Sequence, residues 1–311
     1  MQAQDARGFR LAIRARTSGL TAADVDRALT DDRSLVVTWL NRGTLHLVRS
    51  DDYPWLHALT APGQLTATIR RLAQLGVPDR QADRGVRAIE RALTEDGPLT
   101  RAQLRDRIAA ARVPTEGQAL IHLLALAAGR GLVVRGPVAG REQAYVLVRD
   151  WLGEPRPMDR ERALAELARR YLAGHGPAAE RDLARWAGLP LRDARAGLGA
   201  IAAQLAGRRD GLVDLARRPA RGPLPAPRLL GAFDPLLLGW VSREPVLGPH
   251  QHVVTVNGLF RPFALVGGRA VATWRLSGAD VTLEPFGRLT KANRAALEED
   301  ATDVARFLGA R

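Results

Sequence analysis

The chain has 311 residues, of which 46% are hydrophobic and 25% charged, and it carries a formal net charge of +13. That is long enough for two or three buried cores in an ordinary globular composition. Cysteine is absent, which excludes disulfides, thiolate metal sites and cysteine nucleophiles. Most of the excess positive charge lies before residue 221, where it is all arginine, and Lys291 is the lone lysine. Guanidinium groups match phosphate geometry, so the charge points to a polyanionic partner, nucleic acid above all.

In chain order, the opening MQAQD places Gln2 and Gln4 two residues apart. An extended backbone puts the two amides on one side, whereas a helix would turn them about 200° apart. Residues 21–48 read as a helix capped by Thr21 with Asp24 at its third position, then two β-like runs joined through Asn41–Gly43. A helix followed by such a hairpin is an ingredient of a winged helix. The pattern recurs at 97–148: Thr100 caps a short helix, an apolar helix follows at 118–128, and a hairpin with arginines around its Gly/Pro turn closes the unit. A third version runs from residue 161 to 215, with GPAAERDL echoing the earlier GPLTRAQL. Residues 218–228 contain four prolines and cannot be a helix interior. Beyond them, the stretches around 246–248, 252–276 and 281–286 alternate with period two and Gly turns, predicting an antiparallel sheet or small barrel. A terminal helix is expected over 291–308.

The fold class predicted is therefore α+β: tandem winged-helix units at 1–80, 81–158 and 159–220, followed by a C-terminal antiparallel β-domain with a terminal helix at 221–311. No segment offers the roughly 18 continuous apolar residues of a membrane span. The best candidate, Gln118 to Gly129, is short and carries His122. The N-terminus does not read as a secretory signal. The six histidines show no ligand spacing beyond the weak hint of His250 and His252, so neither metal nor cofactor is expected. A dinucleotide fingerprint, a P-loop and a nucleophile elbow are all absent. Asp31–Asp32 and Asp51–Asp52 sit in turn or cap contexts. Residue chemistry alone thus describes a basic DNA binder, with a protein-docking scaffold of winged helices as the competing reading.

Four segments are more specific: WLNRGTLHLVRSDDYPWL (39–56), GPAAERDLARWAGL (176–189), AFDPLLLGW (232–240) and NGLFRPFALVGGRAVATWRL (257–276). Together they resemble the AlkZ/YcaQ-type winged-helix DNA glycosylases over essentially the whole chain. The resemblance implies tandem winged helices and a C-terminal β-domain that bind duplex DNA. It also implies a monofunctional glycosylase that removes alkylated purines, with interstrand crosslinks or bulky adducts as a further substrate class. That family's catalytic motif is Gln-x-Gln in one branch and Gln-x-Asp in the other, and the matching residues here are Gln2 and Gln4. Asp5 is the nearest carboxylate, with a local cap as its alternative role. Arg42 in the first hairpin, and Arg135 and Arg141 around the second, are candidates for phosphate or groove contact. His46 alternates with Leu45 and Leu47 and faces either DNA or a partner within its own domain. A monomer acting on double-stranded DNA carrying alkylated or crosslinked purines is expected, in the cytoplasm at the nucleoid. A non-catalytic DNA-binding protein or transcriptional regulator stays open beside it. Family members usually carry a few dozen residues before the motif, so the first unit is expected to be truncated at its N-terminus, either naturally or through a start codon placed too late.

Overall fold

The computed structural model describes residues 1–140, 142–154, 158–217 and 222–309. Its elements in chain order are α1 (Ala6–Arg14), α2 (Ala22–Thr30), β1 (Leu35–Trp39), β2 (Leu45–Arg49), α3 (Tyr53–Thr60), α4 (Pro62–Gln74), α5 (Asp79–Asp96), α6 (Arg101–Ala110), α7 (Ala119–Gly129), β3 (Val133–Ala139), β4 (Glu142–Leu147) and α8 (Val148–Leu152). There follow α9 (Arg160–His175), α10 (Glu180–Ala187), α11 (Leu191–Ala200), β5 (Leu205–Gly207), β6 (Val213–Leu215), β7 (Arg228–Leu230), α12 (Glu244–Leu247), β8 (Phe263–Val266), β9 (Arg269–Ser277), β10 (Asp280–Pro285) and α13 (Lys291–Leu308). The fold is α+β.

Local chemistry sets the helix starts. Thr21 and Asp24 bond each other reciprocally ahead of α2, the Thr21 amide donating to the Asp24 carboxylate at 2.8 Å. Thr100 and Gln103 form a complete capping box on α6, and Thr290 accepts from the Asn293 amide to open α13. Each side chain meets a donor that the first helical turn leaves unpaired. Glycine stops the longest helices: Gly97 ends α5 at φ 75° and Gly309 ends α13 at φ 67°, a left-handed backbone that costs glycine nothing.

Two compact units emerge. One comprises Asp26–Leu167 with Ala187–Ala200. Its main core is hydrocarbon: Leu72, Ile89, Leu104, Ile108, Leu123, Leu124 and Val133 are fully enclosed among α4–α7 and β3. A four-stranded antiparallel sheet of order β2–β1–β3–β4 accompanies it. The hairpins expected as wings of separate units are thus neighbours in one sheet, joined where Val37 of β1 faces Arg135 of β3. A small second core of Val36, Tyr53, Val134, Val146 and Val148 lies beside that junction. Helices α3, α4 and most of α5 occupy a stretch to which sequence patterning assigned nothing. Leu99, between α5 and α6, pairs with Tyr145 of β4 through both backbone bonds (2.8 and 3.2 Å). The order helix, bridged residue, helix, helix, hairpin recurs along the chain in α9, Ala178, α10, α11 and β5–β6, where Ala178 pairs with Val213.

The other unit comprises Met1–Val25, Ala168–Trp186 and Ile201–Arg311. Its sheet has the antiparallel order β10–β9–β8–β7, with α1 and α13 packed on β7. A core of Leu230, Leu237, Leu247, Val253, Phe260 and Phe263 fills it. The alternating run expected to open the sheet departs from prediction: residues 246–247 lie in α12 and Gln251–Val253 form a single 3-10 turn. Pro245 in the first turn of α12 presets the helical φ and overrides the alternation. The sheet is open, not a barrel. Residues 218–221 of the proline-rich stretch lie outside the described residues, and 222–227 carry no regular element.

Candidate active site

Residues 1–4 precede the first helix and are not helical. Gln2 is buried and Gln4 exposed, and the Gln2 Nε2 donates a hydrogen bond to the Gln4 Oε1. Each amide thereby fixes the rotation of the other. Asp5 sits at φ −114°, ψ 121° as the N-cap of α1, its carboxylate accepting from the Gly8 amide. That carboxylate is committed to the cap, the alternative anticipated for it.

The glutamine pair is only as well placed as α1, and α1 is clamped along its length. Near its start Gly8 lies against Ala232, where a Cβ would overlap the Ala232 carbonyl oxygen. At its end Arg14, buried to 2% exposure, donates to both carboxylate oxygens of Asp300 (2.8 and 3.0 Å), to Asp303 (3.0 Å) and to the Leu229 carbonyl (2.9 Å). Just beyond, Arg16 reaches Asp234 with a two-pronged bond of 2.7 and 2.9 Å. Asp234 is fully buried and also accepts from the Leu236 amide. A planar guanidinium held at two or more points fixes direction as well as distance. Phe233, at φ 56°, is wound into the left-handed region between the Gly8 contact and Asp234.

The far end of this same segment meets an aromatic cluster. The Tyr171 hydroxyl donates to the Gly239 carbonyl at 2.7 Å and the Trp240 indole to the His175 carbonyl at 3.0 Å. The His175 ring stacks on Tyr171 at 4.9 Å, with Trp186 and Trp240 at 5.7 and 5.3 Å. Gly239 carries no side chain because a Cβ there would strike the imidazole. Burial holds the His175 pKa below its ordinary value, and the Arg16 charge adds to that, against an opposing bond to the Tyr171 carbonyl. Farther along, Val254 pairs with Phe260 across a tight turn whose Val256 and Leu259 side chains are solvent-exposed. Phe260 rests on Phe233 at 5.4 Å and under the Arg243 guanidinium at 5.0 Å.

The remaining predicted residues belong to the other unit. Arg42 occupies the β1–β2 turn at φ 59°, where the backbone of Gly188 approaches so closely that a Cβ would touch the Arg42 amide. It also lines a cavity of about 230 Å³ walled by Trp39, Leu65, Ile121 and His122. His46 stands opposite Thr38 in β2, is buried, and bonds through Nδ1 to the Thr44 carbonyl at 2.9 Å. Burial above all, with the Arg42 charge assisting, lowers its pKa to about 3, so it is neutral. Arg135 lies mid-strand and not at the turn, half-buried with its guanidinium 5.7 Å from the Tyr145 ring. Arg141 lies outside the described residues. Among the described residues no group of three acidic, histidine or cysteine side chains gathers as a metal site, and no helix is long and apolar enough to cross a membrane. Sequence reasoning did not pick out Arg14, Arg16, His175 or Asp300. The AFDPLLLGW segment was the available signal, since it holds Asp234 and Gly239.

The family described as DNA glycosylase AlkZ-like matches residues 1–307. An interstrand DNA cross-link repair glycosylase from Streptomyces sahachiroi is 29% identical over 306 residues, covering 89% of this chain and 80% of that protein. The structure of the Streptomyces sahachiroi DNA glycosylase AlkZ superposes with a TM-score of 0.80 at 26% identity, covering all of this chain (100%) and 89% of that one. With one family spanning the sequence and a matching fold spanning the structure, the chain belongs to the AlkZ-like DNA glycosylase family.

Proposed function

We propose that this glycosylase hydrolyses the bond between deoxyribose and an alkylated purine in double-stranded DNA, and that Gln2 and Gln4 carry the chemistry. The observation that supports this most is the hydrogen bond that the Gln2 amide donates to the Gln4 amide oxygen just ahead of the capped start of a clamped helix. An N7- or N3-alkylated purine is cationic and leaves without a strong acid. The enzyme's task is then to place a water under C1′ and stabilise the oxocarbenium charge that develops. An amide oxygen held in a fixed direction does both, by accepting the water's hydrogen bond and presenting partial negative charge.

Duplex binding falls in this reading to Arg42, His46, Arg135 and Arg141, acting in a monomer on DNA in the cytoplasm. Buried neutral His46 serves by shaping the β2 surface, and the arginines serve through phosphate. The repeated element order of α5–β4 and α9–β6 fits winged-helix units at 81–158 and 159–220, with 1–80 and 221–311 flanking them. The exposed apolar turn at Val256–Leu259, seated on Phe260 and Phe233, suits insertion beside a distorted base step. The cross-link repair activity in the name of the Streptomyces relative makes purine-linked interstrand crosslinks the second substrate to try. The test is release of 7-methylguanine from a methylated duplex, scored by alkaline cleavage of the abasic product. Wild type should release base, and Gln2→Ala and Gln4→Ala should each lose at least tenfold. Salt-sensitive DNA binding without base release would instead favour a non-catalytic binder.

A further inference from the structure

We infer that the outward face of α5 is a further DNA-contacting surface, an arginine stripe that holds the sugar–phosphate backbone of duplex DNA without reading its bases. It goes beyond the contacts proposed for Arg42, His46, Arg135 and Arg141, none of which lies on this helix. It does not depend on the glutamine pair.

Arg80, Arg84, Arg87 and Arg91 stand four, three and four residues apart along α5. At 3.6 residues per turn they fall within about 60° of one another. The buried residues of the helix, Val86, Ile89 and Leu93 among them, take the opposite side. All four arginines are exposed, and from first to last they cover about 17 Å of helix.

The carboxylates of the helix do not neutralise this row. Asp83 and Glu90 lie between the arginines in sequence, but each is taken from elsewhere in the unit, Asp83 by Arg130 at 2.6 Å and Glu90 by Arg149 at 3.1 Å. Glu95 follows Arg91 by four residues, and the two form no ion pair. The side chains of Arg80, Arg87 and Arg91 make no hydrogen bond or ion pair among the described residues, and Arg84 donates only to the Arg112 carbonyl at 3.1 Å. Like charges three and four apart on a helix repel, whereas a solvated helix face ordinarily intersperses both signs. The row is thus a cost that the fold leaves uncompensated and that a polyanion would relieve.

Charge complementarity selects the occupant. Guanidinium groups grip phosphate through paired N–H bonds. Duplex DNA carries one negative charge per about 1.7 Å of axis, hence roughly ten along the length of the stripe. No aromatic residue occurs in α5 to stack on an unpaired base, which suits a duplex backbone and not a single strand. Contact of this kind is independent of sequence and holds the protein on undamaged DNA.

Equilibrium binding of an undamaged duplex across a salt series, with the full chain, tests this. Arg80→Gln, Arg87→Gln and Arg91→Gln together should weaken binding roughly 30-fold and reduce the log–log salt slope by about two to three. A control of equal net charge, Arg269→Gln with Arg288→Gln and Arg294→Gln, changes exposed arginines of the other unit and should stay within about threefold. Arg80→Lys, Arg87→Lys and Arg91→Lys together should keep most of the slope. Single-turnover base release at saturating protein should be unchanged in the glutamine stripe variant, whereas Gln2→Ala should lose rate with its salt slope intact. Because the chain has no cysteine, Arg87→Cys carries a photo-crosslinker at that position alone, and light should join it to the duplex. Equal losses in the two triple variants would make net charge the cause and overturn the inference. Wild-type affinity in the stripe variant, or a duplex left unlinked at position 87, overturns it as well and leaves the stripe to an acidic protein surface.

Discussion

The two compact units solve different problems with different forces. The unit built on α4–α7 is held by hydrocarbon, with Leu104, Leu123 and Leu124 wholly enclosed. The unit that carries the glutamines buries charge: the Arg14 and Asp300 side chains are exposed to only 1% and 4%. Apolar burial is favourable but non-directional, which suffices to pack helices. A buried ion pair contributes little net stability, because desolvation offsets its attraction. It does specify one rotation and one register. The contrast places directional bonds at the helix that Gln2 and Gln4 directly precede.

Replacing one partner of the charged clamp should give the largest effect. Asp300→Ala leaves buried Arg14 with the partly exposed Asp303 as its remaining carboxylate partner and should cost about 3–5 kcal/mol in urea denaturation. The apolar pair Arg14→Met with Asp300→Leu should recover most of that stability and little of the base-release rate. Recovery of both would erase the contrast between the units. In the hydrocarbon unit, Leu124→Ala should cost about 2–4 kcal/mol through the cavity it leaves, with an unaltered rate at temperatures where the variant stays folded. Gly8→Ala should cost about 1–3 kcal/mol by overpacking against Ala232, and here the rate should fall with it because the glutamines ride on α1.

Acid should then act through His46. Its folded pKa of about 3 lies below the ordinary 6.5, so between those values the unfolded chain binds a proton that the folded chain refuses. Stability is complete above pH 6.5 and drains away as the pH falls toward 3. His46→Gln should flatten this acid limb in melting curves, and an unchanged limb would remove His46 from the account. The smallest effect is expected from Arg135→Ala, a drop of a few-fold in DNA affinity with the salt slope reduced by about one.

The sequence made legible whatever was written locally. The Thr21–Asp24 and Thr100–Gln103 boxes, the apolar face of α7 and the turns at Gly43 and Gly140 each reside within a few residues. The choice of Gln2 and Gln4 as the proposed catalytic pair came instead from the segments that resemble the family. What stayed hidden was long-range. Arg14 and Asp300 are 286 positions apart, and nothing near either one announces the other. The meeting of Val37 with Arg135 joins two hairpins that look self-sufficient. Around residue 250, alternation suggested strand while Pro245 and the tight turn beside His252 decided otherwise. The convergence of Gln2 and Gln4 depended on whether the backbone was extended or helical, which spacing alone leaves open.

That shared sheet also works as a ruler. Strands β1 and β3 run in opposite directions through the Val37–Arg135 pair, so the turn after β1 and the turn after β3 project from opposite ends. Each turn lies about five residues from that pair, and at roughly 3.3 Å per residue the two tips stand on the order of 30 Å apart. The pitch of B-form DNA is about 34 Å. Because backbone hydrogen bonds and not a linker set this interval, lengthening both strands of either hairpin by two residues moves its tip outward by a fixed step of about 7 Å, and the spacing between the two hairpin ends becomes a quantity that can be engineered.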